Sequence, residues 1–196
     1  MEYRLENRRN NPDWFNGPVP SFGDIDAQVF ILGLAPGVKG ANRTGRPFTG
    51  DYAGDLLYPT LLSFGFASGE FDARPDDGVQ LINCRIANAV RCVPPQNKPV
   101  GQEMKACAPF LEAEIAAMDK LRVILALGTI AHNAALGAVG EKRSAWKFGH
   151  NIRHDLPNGP ILIDSYHCSR YNTNTGRLTE SMFHDVFETI RSDVPR

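Results

Sequence analysis

Three short, continuous apolar runs constrain the fold of this chain more than any other feature. The runs are three to five apolar residues long and lie within the sequences QVFILGL, LRVILAL and PILIDSY, which occupy residues 28–34, 121–127 and 160–166. Apolar runs of this length, bounded by polar residues, glycine or proline, are typical of β-strands. Because apolar residues do not alternate with polar ones, both faces of each strand need to be covered. That pattern is typical of parallel strands buried between helices.

Helix-like segments lie between these strands. Apolar residues recur at helical spacing in residues 51–64 and 101–118, and again after Thr179, which is a favourable N-cap. A segment of small residues begins at Thr129, and residues 79–90 form a fourth strand-like segment. The alternation predicts the α/β class, with a three-layer α/β/α sandwich around a small parallel sheet of about four strands.

Length and composition bound the class of protein. A chain of 196 residues with 42% hydrophobic and 22% charged residues fits one globular domain, residues 1–196. The first residues are polar rather than secretory in type, and no apolar stretch approaches the length of a membrane span. We therefore expect a cytoplasmic protein, and a monomer. The formal net charge of -1 gives no global positive field, so a nucleic-acid partner would need a local basic surface.

A glycine-rich loop follows the first predicted strand. In parallel α/β sheets, ligands bind in the crevice at the carboxyl ends of the strands. Here the loop runs from Gly33 to Asp51 and holds five glycines, whose exposed amides suit an anion or a carbonyl. It contains neither the dinucleotide-binding fingerprint nor a Walker loop. Asp51 has two interpretations at this point: the N-cap of the next helix or a catalytic carboxylate.

Two further motifs reach the same edge of the predicted sheet. Asn88 ends the second strand, where its amide can read the edge of a planar polar ligand or bond within its own loop. His167 follows the last strand together with Ser169 and Arg170, a combination suited to phosphate binding and charge stabilisation. Cys168 is a poor nucleophile candidate because adjacent strand residues point in opposite directions. The other four histidines are interpreted as structural: His132, His150, His154 and His184.

Basic residues gather near this edge, whereas many acidic residues fall on predicted helices. The pattern predicts a locally positive mouth on a nearly neutral protein, compatible with a phosphate backbone. The alternative is that these are solvated loop charges. The basic residues concerned are Lys39, Arg43, Arg46, Arg91, Lys98, Arg170 and Arg177.

Three motifs together resemble the type 5 (B-type) uracil-DNA glycosylases of the uracil-DNA glycosylase superfamily. They are GLAPG followed by GANRTGRPFTGD, then NAVRCVPPQNKP, then YHCSRYNTNTGRLT, in the family's order and spanning roughly residues 17–190. The resemblance implies a three-layer α/β/α domain. It also implies DNA base-excision repair, in which the N-glycosidic bond of uracil is hydrolysed after base flipping. Other deaminated bases, such as hypoxanthine, are often substrates in this family.

The resemblance also implies roles for the base-binding residues. His167 matches the histidine that stabilises the base oxygen, Asn88 the asparagine that reads the uracil edge, and Phe48 the aromatic that stacks on the flipped ring. Leu34 stands where sister families carry a polar, water-positioning residue, so Asp51 is the remaining carboxylate candidate. Backbone amides of the first loop are expected to meet the base and the sugar-phosphate, and the residues concerned are Gly33, Leu34, Ala35, Pro36 and Gly37.

The DNA backbone and the vacated stack have their own candidates. By the same resemblance, Ser169 and Arg170 are expected to hold phosphate. Arg177 and Leu178 are expected to form a tip that wedges into the base stack that the flipped nucleotide has left.

One departure from the family concerns its iron–sulfur cluster. The family usually carries a [4Fe–4S] cluster on four cysteines, of which the first two form a Cys-x-x-Cys near the N-terminus. Cys92 and Cys107 match the later pair, but no cysteine precedes Cys84. Residues 1–16 therefore lack the upstream pair, which is explained by a truncated chain or a misplaced start site. Since Cys84 and Cys168 lie on motif strands and are poor replacements, we expect an intact cluster to bind weakly or not at all.

Two alternative functions remain open from the sequence. One is a catalytically silent nucleic-acid-binding protein of the same fold, disabled by the missing pair of cysteines. The other, more distant, is an α/β enzyme that acts on free nucleotides.

Overall fold

The computed structural model describes residues 2–157 and 159–194. Its strands are β1 (Val29–Gly33), β2 (Ala67–Ser68), β3 (Gln80–Leu81), β4 (Cys84–Asn88), β5 (Val123–Leu127), β6 (Arg153–Asp155) and β7 (Ile161–Ser165). Its α-helices are α1 (Glu2–Asn10), α2 (Ala41–Thr44), α3 (Tyr52–Ser63), α4 (Gly101–Ala116), α5 (Thr129–Ala138), α6 (Arg170–Asn174) and α7 (Glu180–Asp193).

The central sheet has the strand order β4-β1-β5-β7-β6. The first four of these strands run parallel, and β6 is an antiparallel edge strand beside β7. The short strands β2 and β3 form a separate antiparallel pair. Every residue of β1 and β5 is buried, so these strands are covered on both faces.

Alternate residues of each central strand face two different cores. On one side, Ile31 of β1 belongs to a core that includes residues of α3 and α7. On the other side, Phe30 belongs to a core that includes residues of α4 and α5. Burying one such side chain contributes about 1.5–3 kcal/mol. The expected α/β/α sandwich is therefore confirmed, with two helices on each face of the sheet.

The differences from the expected elements are local. Residues 79–90 hold two strands, β3 and β4, because Asn83 between them adopts a φ of 51° that interrupts an extended chain. The side chain of Asn83 then accepts a hydrogen bond from the Gln28 amide at 2.8 Å. Strand β6 is three residues long, too short to give a periodic signal in sequence. The periodic pattern of the sequence also gives no signal for helices α1, α2 and α6. In the described part of the chain, no helix combines the length and apolar character that crossing a bilayer requires.

Candidate active site

A cavity of about 280 Å³ opens beside the carboxyl ends of β1, β4 and β7. Its size is close to the lower end of small-ligand pockets, about 300 Å³. Ten of the expected site residues line it: Leu34, Ala35, Pro36, Gly37, Phe48, Asp51, Asn88, His167, Ser169 and Arg170. Four residues that sequence reasoning did not single out also line it: Ala41, Tyr52, Ala53 and Asn97. Each of these four lies inside or next to a motif, which is the signal that could have found them.

Gly33, which was also expected at the site, does not line this cavity, but its lack of a side chain leaves room for two residues that do. It is the register partner of Asn88 across β1 and β4. A methyl group at Gly33 would lie 2.5 Å from Asn88 Oδ1 and 2.5 Å from Phe48 Cζ. The two side chains can therefore approach the backbone only because this position is glycine.

Asn88 is buried, with 7% of its surface exposed, and it lines the cavity. Within residues 2–157 and 159–194, its side-chain amide has no hydrogen-bond partner. The backbone that follows Asn88 is fixed, because Ala89 and Val90 donate to the carbonyls of Gly33 and Leu34. Since a buried amide usually finds a partner, Asn88 offers one donor and one acceptor to a ligand in the cavity.

Phe48 is held in an unusual backbone conformation. Its φ is 53°, a left-handed value that costs a residue other than glycine about 1–2 kcal/mol, and its side chain is buried. The neighbouring Arg46 is anchored by two 2.7 Å bonds to Asp77 and by one to Thr49 Oγ1. The Tyr58 hydroxyl donates to the Pro47 carbonyl at 2.8 Å. These contacts fix the backbone on both sides of Phe48 and so offset its strain.

Asp51 lies directly before α3, at the N-cap position, but makes no capping hydrogen bond through its side chain. Its Oδ1 is buried and has no hydrogen-bond partner in the described residues. Burial raises the pKa of Asp51 above its ordinary value, although the amides of Gly54 and Ala53 act in the opposite direction. A methyl group at Gly40 would lie 2.3 Å from Asp51 Oδ2, so the glycine loop closes tightly around the carboxylate.

His167 projects into the cavity opposite these groups. Its ring lies 6.2 Å from that of Phe48, between ring centroids. Burial lowers the pKa of His167 to about 4. The imidazole is therefore neutral at pH 7 and carries one N–H donor.

Ser169 and Arg170 stand at the start of α6. Ser169 Oγ accepts from the Asn172 amide at 3.4 Å, so it caps this short helix as well as lining the cavity. The Arg170 guanidinium lies 5.1 Å from the centroid of the Tyr52 ring. The next residue, Tyr171, has 71% of its surface exposed and was not singled out from sequence.

The expectation for Leu178 is wrong. Its exposed fraction is 0%, and it belongs to the core between the sheet and the helices α3 and α7. Its amide donates to the Asn172 carbonyl, so the loop after α6 turns the leucine inward. Leu178 therefore cannot enter a base stack. Arg177 is exposed, and its guanidinium lies 4.6 Å from the centroid of the Tyr166 ring rather than in the cavity.

The basic mouth is smaller than the sequence suggested. Arg46 is buried in its ion pair with Asp77, and Arg91 donates to Glu114 of α4 at 2.7 Å. The Arg46 guanidinium is therefore not available to a phosphate, and the charge of Arg91, whose side chain is 28% exposed, is paired with a carboxylate. The remaining basic residues of the set are exposed: Lys39, Arg43, Lys98, Arg170 and Arg177.

Comparison with known proteins assigns the family. The model of the Uracil DNA glycosylase superfamily matches residues 20–191. The chain belongs to this superfamily. It is 47% identical over 178 residues to the type-5 uracil-DNA glycosylase of Thermus thermophilus. The matched segment covers 91% of this chain and 80% of that relative. It is 42% identical over 186 residues to the type-5 enzyme of Mycobacterium tuberculosis, covering 93% and 68%. The type-5 enzyme of Pyrobaculum aerophilum is 37% identical over 180 residues, covering 92% and 78%.

The resemblance to the type 5 glycosylases of the superfamily raises the question of a cluster site. A second cavity, of about 560 Å³, is lined by Cys92 and Cys107. The Arg4 guanidinium donates to Cys92 Sγ at 2.7 Å. The other two cysteines of the chain, Cys84 and Cys168, are 1% and 0% exposed within the core, and burial raises the pKa of both thiols. The cavity thus offers two thiols, which does not fit the four thiolates of a [4Fe–4S] cluster.

A separate group of potential metal ligands joins α5, β6 and β7. His132 Nδ1 is 2.8 Å from Asp164 Oδ1, and His154 Nε2 is 3.0 Å from Asp164 Oδ2. The donor atoms of all three residues lie within 4.8 Å of one another. Each carboxylate oxygen already has an imidazole partner, so the group is satisfied as a buried hydrogen-bond network.

Proposed function

We propose that this protein is a monofunctional DNA glycosylase that hydrolyses the N-glycosidic bond of uracil in DNA after the nucleotide is flipped out of the duplex. The observation that carries the proposal is the combination of groups in one cavity. They are the side-chain amide of Asn88, a neutral imidazole at His167 and the Oδ1 oxygen of Asp51, and neither the amide nor this oxygen has a hydrogen-bond partner among the described residues. The relatives named as uracil-DNA glycosylases support the same reaction.

Asn88 and Phe48 supply recognition of the flipped base. A uracil edge presents a ring N–H beside a carbonyl oxygen, which matches an amide oxygen that accepts and an amide nitrogen that donates. The ring of Phe48 provides a face for stacking, and it lies between Gly33 and the ring of His167. Because both Asn88 and Phe48 are buried, the cavity favours a planar base over water.

His167 supplies stabilisation of the leaving group. As the bond breaks, negative charge builds on the base oxygen, and a fixed N–H donor stabilises that charge more than the ground state. Because the pKa of His167 is low, its imidazole is neutral at working pH. A neutral imidazole can donate its N–H without the cost of burying a charge. Loss of such a donor costs about 3 kcal/mol of transition-state stabilisation.

Asp51 supplies the carboxylate for water. Its Oδ1 makes no bond to the helix that it precedes, which leaves this oxygen for a reacting water or for the positive charge that develops on the sugar. An ionised carboxylate without a partner is costly in a buried position. A raised pKa from burial is typical of a group retained for chemistry rather than for stability.

Tyr171 replaces Leu178 as the candidate wedge. It follows Ser169 and Arg170, both of which line the cavity, and most of its side chain is exposed. An exposed aromatic ring can stack on the bases beside the vacated position. The exposed cations Lys39, Lys98 and Arg170 are the candidates for phosphate contacts.

The test is strand cleavage at one defined uracil. A labelled duplex with a single uracil is incubated with the protein and then treated with alkali, with a matched duplex carrying thymine at that position as the control. We expect cleavage at uracil alone, and a loss of roughly a hundredfold in rate for His167→Ala. His184→Ala serves as a control, because His184 lies on α7 against Phe64. Retained DNA binding without cleavage would contradict the proposal and favour the silent binding protein.

A further inference from the structure

The backbone around His167 is gripped by two side chains that come from different parts of the chain. On the upstream side, the Tyr166 amide donates to His150 Nδ1 at 3.2 Å. On the downstream side, Asn172 Nδ2 donates to the His167 carbonyl at 2.8 Å. The peptide group that ends in the Tyr166 amide, one residue before His167, and the peptide group that begins at the His167 carbonyl therefore each bond to a side chain rather than to a β-ladder partner.

The tautomer of His150 follows from its two partners. Its Nε2 lies 3.2 Å from the Met182 carbonyl of α7, which can only accept, so Nε2 carries the hydrogen. Its Nδ1 faces the Tyr166 amide, which can only donate, so Nδ1 carries a lone pair. His150 is thus a neutral imidazole that bridges the first turns of α7 to the end of β7.

The surroundings of His150 keep it in that state. Burial lowers the pKa of His150, although the Met182 carbonyl and the charge of Asp185 on α7 act in the opposite direction. The ring stacks on Tyr166 at 4.9 Å between centroids and 19° between planes. The Arg177 guanidinium lies 4.6 Å from the same Tyr166 ring. Tyr166 is therefore fixed both by its amide and by its ring.

Asn172 joins the downstream grip to the core. Its backbone amide donates to Ser169 Oγ. Its backbone carbonyl accepts from the amide of Leu178, whose side chain is fully buried. A displacement of the His167 carbonyl would require α6 and the loop to Leu178 to move with it. The core thus transmits its rigidity to the segment that carries His167.

We propose that His150 and Asn172 are positioning residues that hold the backbone on both sides of His167, so that its ring meets the base oxygen at the required place. The inference rests on the proposed role of His167 in leaving-group stabilisation. Neither side chain lines the cavity, so both act through His167. A small displacement of a reacting group lowers a rate steeply, up to about a hundredfold for 1 Å.

Paired variants of His150 separate the acceptor from the stack. His150→Phe keeps a ring against Tyr166 but removes the acceptor, whereas His150→Asn restores an acceptor at the position of Nδ1. We expect His150→Phe to lower the single-turnover rate on uracil-containing duplex by roughly tenfold, with an unchanged half-saturating protein concentration. We expect His150→Asn to recover most of that loss. The Tyr166 amide proton should shift upfield in His150→Phe and return in His150→Asn.

Asn172→Asp provides the second arm. It keeps the shape of the side chain but sets a carboxylate against the His167 carbonyl, and we expect a rate loss of the same order. Thr189→Ala is the matched control, because it removes the 3.1 Å bond from Thr189 Oγ1 to Asn151 Oδ1, beside His150, without touching Tyr166. We expect this control to keep the wild-type rate.

The outcomes distinguish this inference from the proposed function. Wild-type rates in both His150→Phe and Asn172→Asp, beside an impaired His167→Ala, would overturn the positioning role alone. A wild-type rate in His167→Ala would instead overturn the proposed role of His167 and, with it, the positioning role. Equal losses in His150→Phe, His150→Asn and Thr189→Ala would assign His150 to general stability and also overturn the inference.

Discussion

Gly33 and Asn88 face each other at the ends of β1 and β4, and a methyl group on Gly33 would lie 2.5 Å from Asn88 Oδ1. The same methyl group would lie 2.5 Å from Phe48 Cζ. Real Cβ atoms do not approach other atoms so closely, so both proposed base-binding side chains depend on the absence of one carbon atom. The requirement concerns close approach, since Gly33 is not among the glycines with positive φ.

We expect Gly33→Ala to lower the single-turnover rate on uracil-containing duplex by roughly a hundredfold, because Asn88 and Phe48 must both move. Gly101→Ala is the control: Gly101 begins α4, and a methyl group there meets no atom within 4 Å. We expect the control to keep its activity, and its free energy of unfolding to rise by up to about 1 kcal/mol. Equal rates in the two variants would mean that Asn88 and Phe48 do not need their present positions.

The iron content of the purified protein tests the cluster expectation. The cavity beside Cys92 and Cys107 supplies two thiols, and Arg4 donates to one of them. We expect a protein of these 196 residues, prepared without oxygen, to hold iron far below about four atoms per chain. Cys92→Ser with Cys107→Ser should leave that content unchanged. Stoichiometric iron with broad visible absorbance would contradict the expectation.

Local sequence was sufficient to predict much of the sheet and the cavity. β1 and β5 are continuous apolar runs, and burial on both faces is encoded by each run alone. β7 begins with three apolar residues, but its Asp164 and Ser165 are buried as well, which their residue types do not indicate. Gly33 and Asn88 end β1 and β4, and His167 lies two residues after β7, so the shared edge of a parallel sheet brings them together. These features depend on residues close in sequence and on one rule of topology.

The features that sequence reasoning missed depend on distant contacts. Arg46 and Asp77 lie 31 positions apart, and Arg91 and Glu114 lie 23 apart. Nothing near either arginine in sequence indicates that its charge is already paired. Leu178 follows an exposed loop, yet the packing of α7 against the sheet determines that its side chain points inward. His150 gave no signal because its two partners are single backbone atoms on other elements.

The Tyr171 side chain tests the wedge. Stacking of one base on an aromatic side chain contributes about 1–3 kcal/mol, so Tyr171→Ala should lower the rate on duplex uracil by roughly tenfold. The rate on single-stranded uracil should change less, since no stack has to be replaced. Phe110→Ala is the control, because Phe110 is 60% exposed but lies on α4, away from the cavity. Equal losses on both substrates would assign Tyr171 to general DNA binding instead.

Stability should depend on pH through His132. Its Nδ1 faces Asp164 and its Nε2 faces the Trp146 carbonyl, so both nitrogens bond fully only when both are protonated. Burial alone would lower the pKa of His132, but Asp164 and the Trp146 carbonyl together raise it above 6.5. The folded protein thus binds this proton more tightly than the unfolded chain does. The resulting stabilisation is complete below the unfolded pKa and is lost as pH rises through the folded pKa.

The measurement is urea unfolding between about pH 5.5 and 9. We expect the free energy of unfolding to fall across the upper part of this range in the wild-type protein. The dependence should flatten in His132→Gln, whereas His184→Gln should behave like the wild type. The lowered pKa values of His167 and His150 act on the same free energy in the lower part of the range, in the variant as in the wild type. The same dependence in His132→Gln as in the wild-type protein would therefore contradict a raised pKa of His132.

Asp51 can be tested for its two interpretations at once. If its carboxylate acts on water, Asp51→Asn should lower the rate by roughly a hundredfold to ten thousandfold. In the wild-type protein the rate should fall with decreasing pH through a value above 3.8, because burial raises the pKa of this carboxyl and the ionised form is the active one. This acid limb should disappear in Asp51→Asn.

The capping role makes the opposite demand on stability. Replacing a helix-capping side chain by alanine lowers the free energy of unfolding by about 1 kcal/mol. Thr179→Ala should show that loss, since Thr179 Oγ1 accepts from the Met182 amide at 3.2 Å. Asp51→Ala should show a smaller loss. Its side chain makes no capping hydrogen bond, the nearby Gly54 and Ala53 amides do not outweigh the effect of burial on its pKa, and its buried charge is itself costly. A loss of stability in Asp51→Ala equal to that in Thr179→Ala, with activity retained in Asp51→Asn, would make Asp51 a helix cap and leave the reaction without its carboxylate.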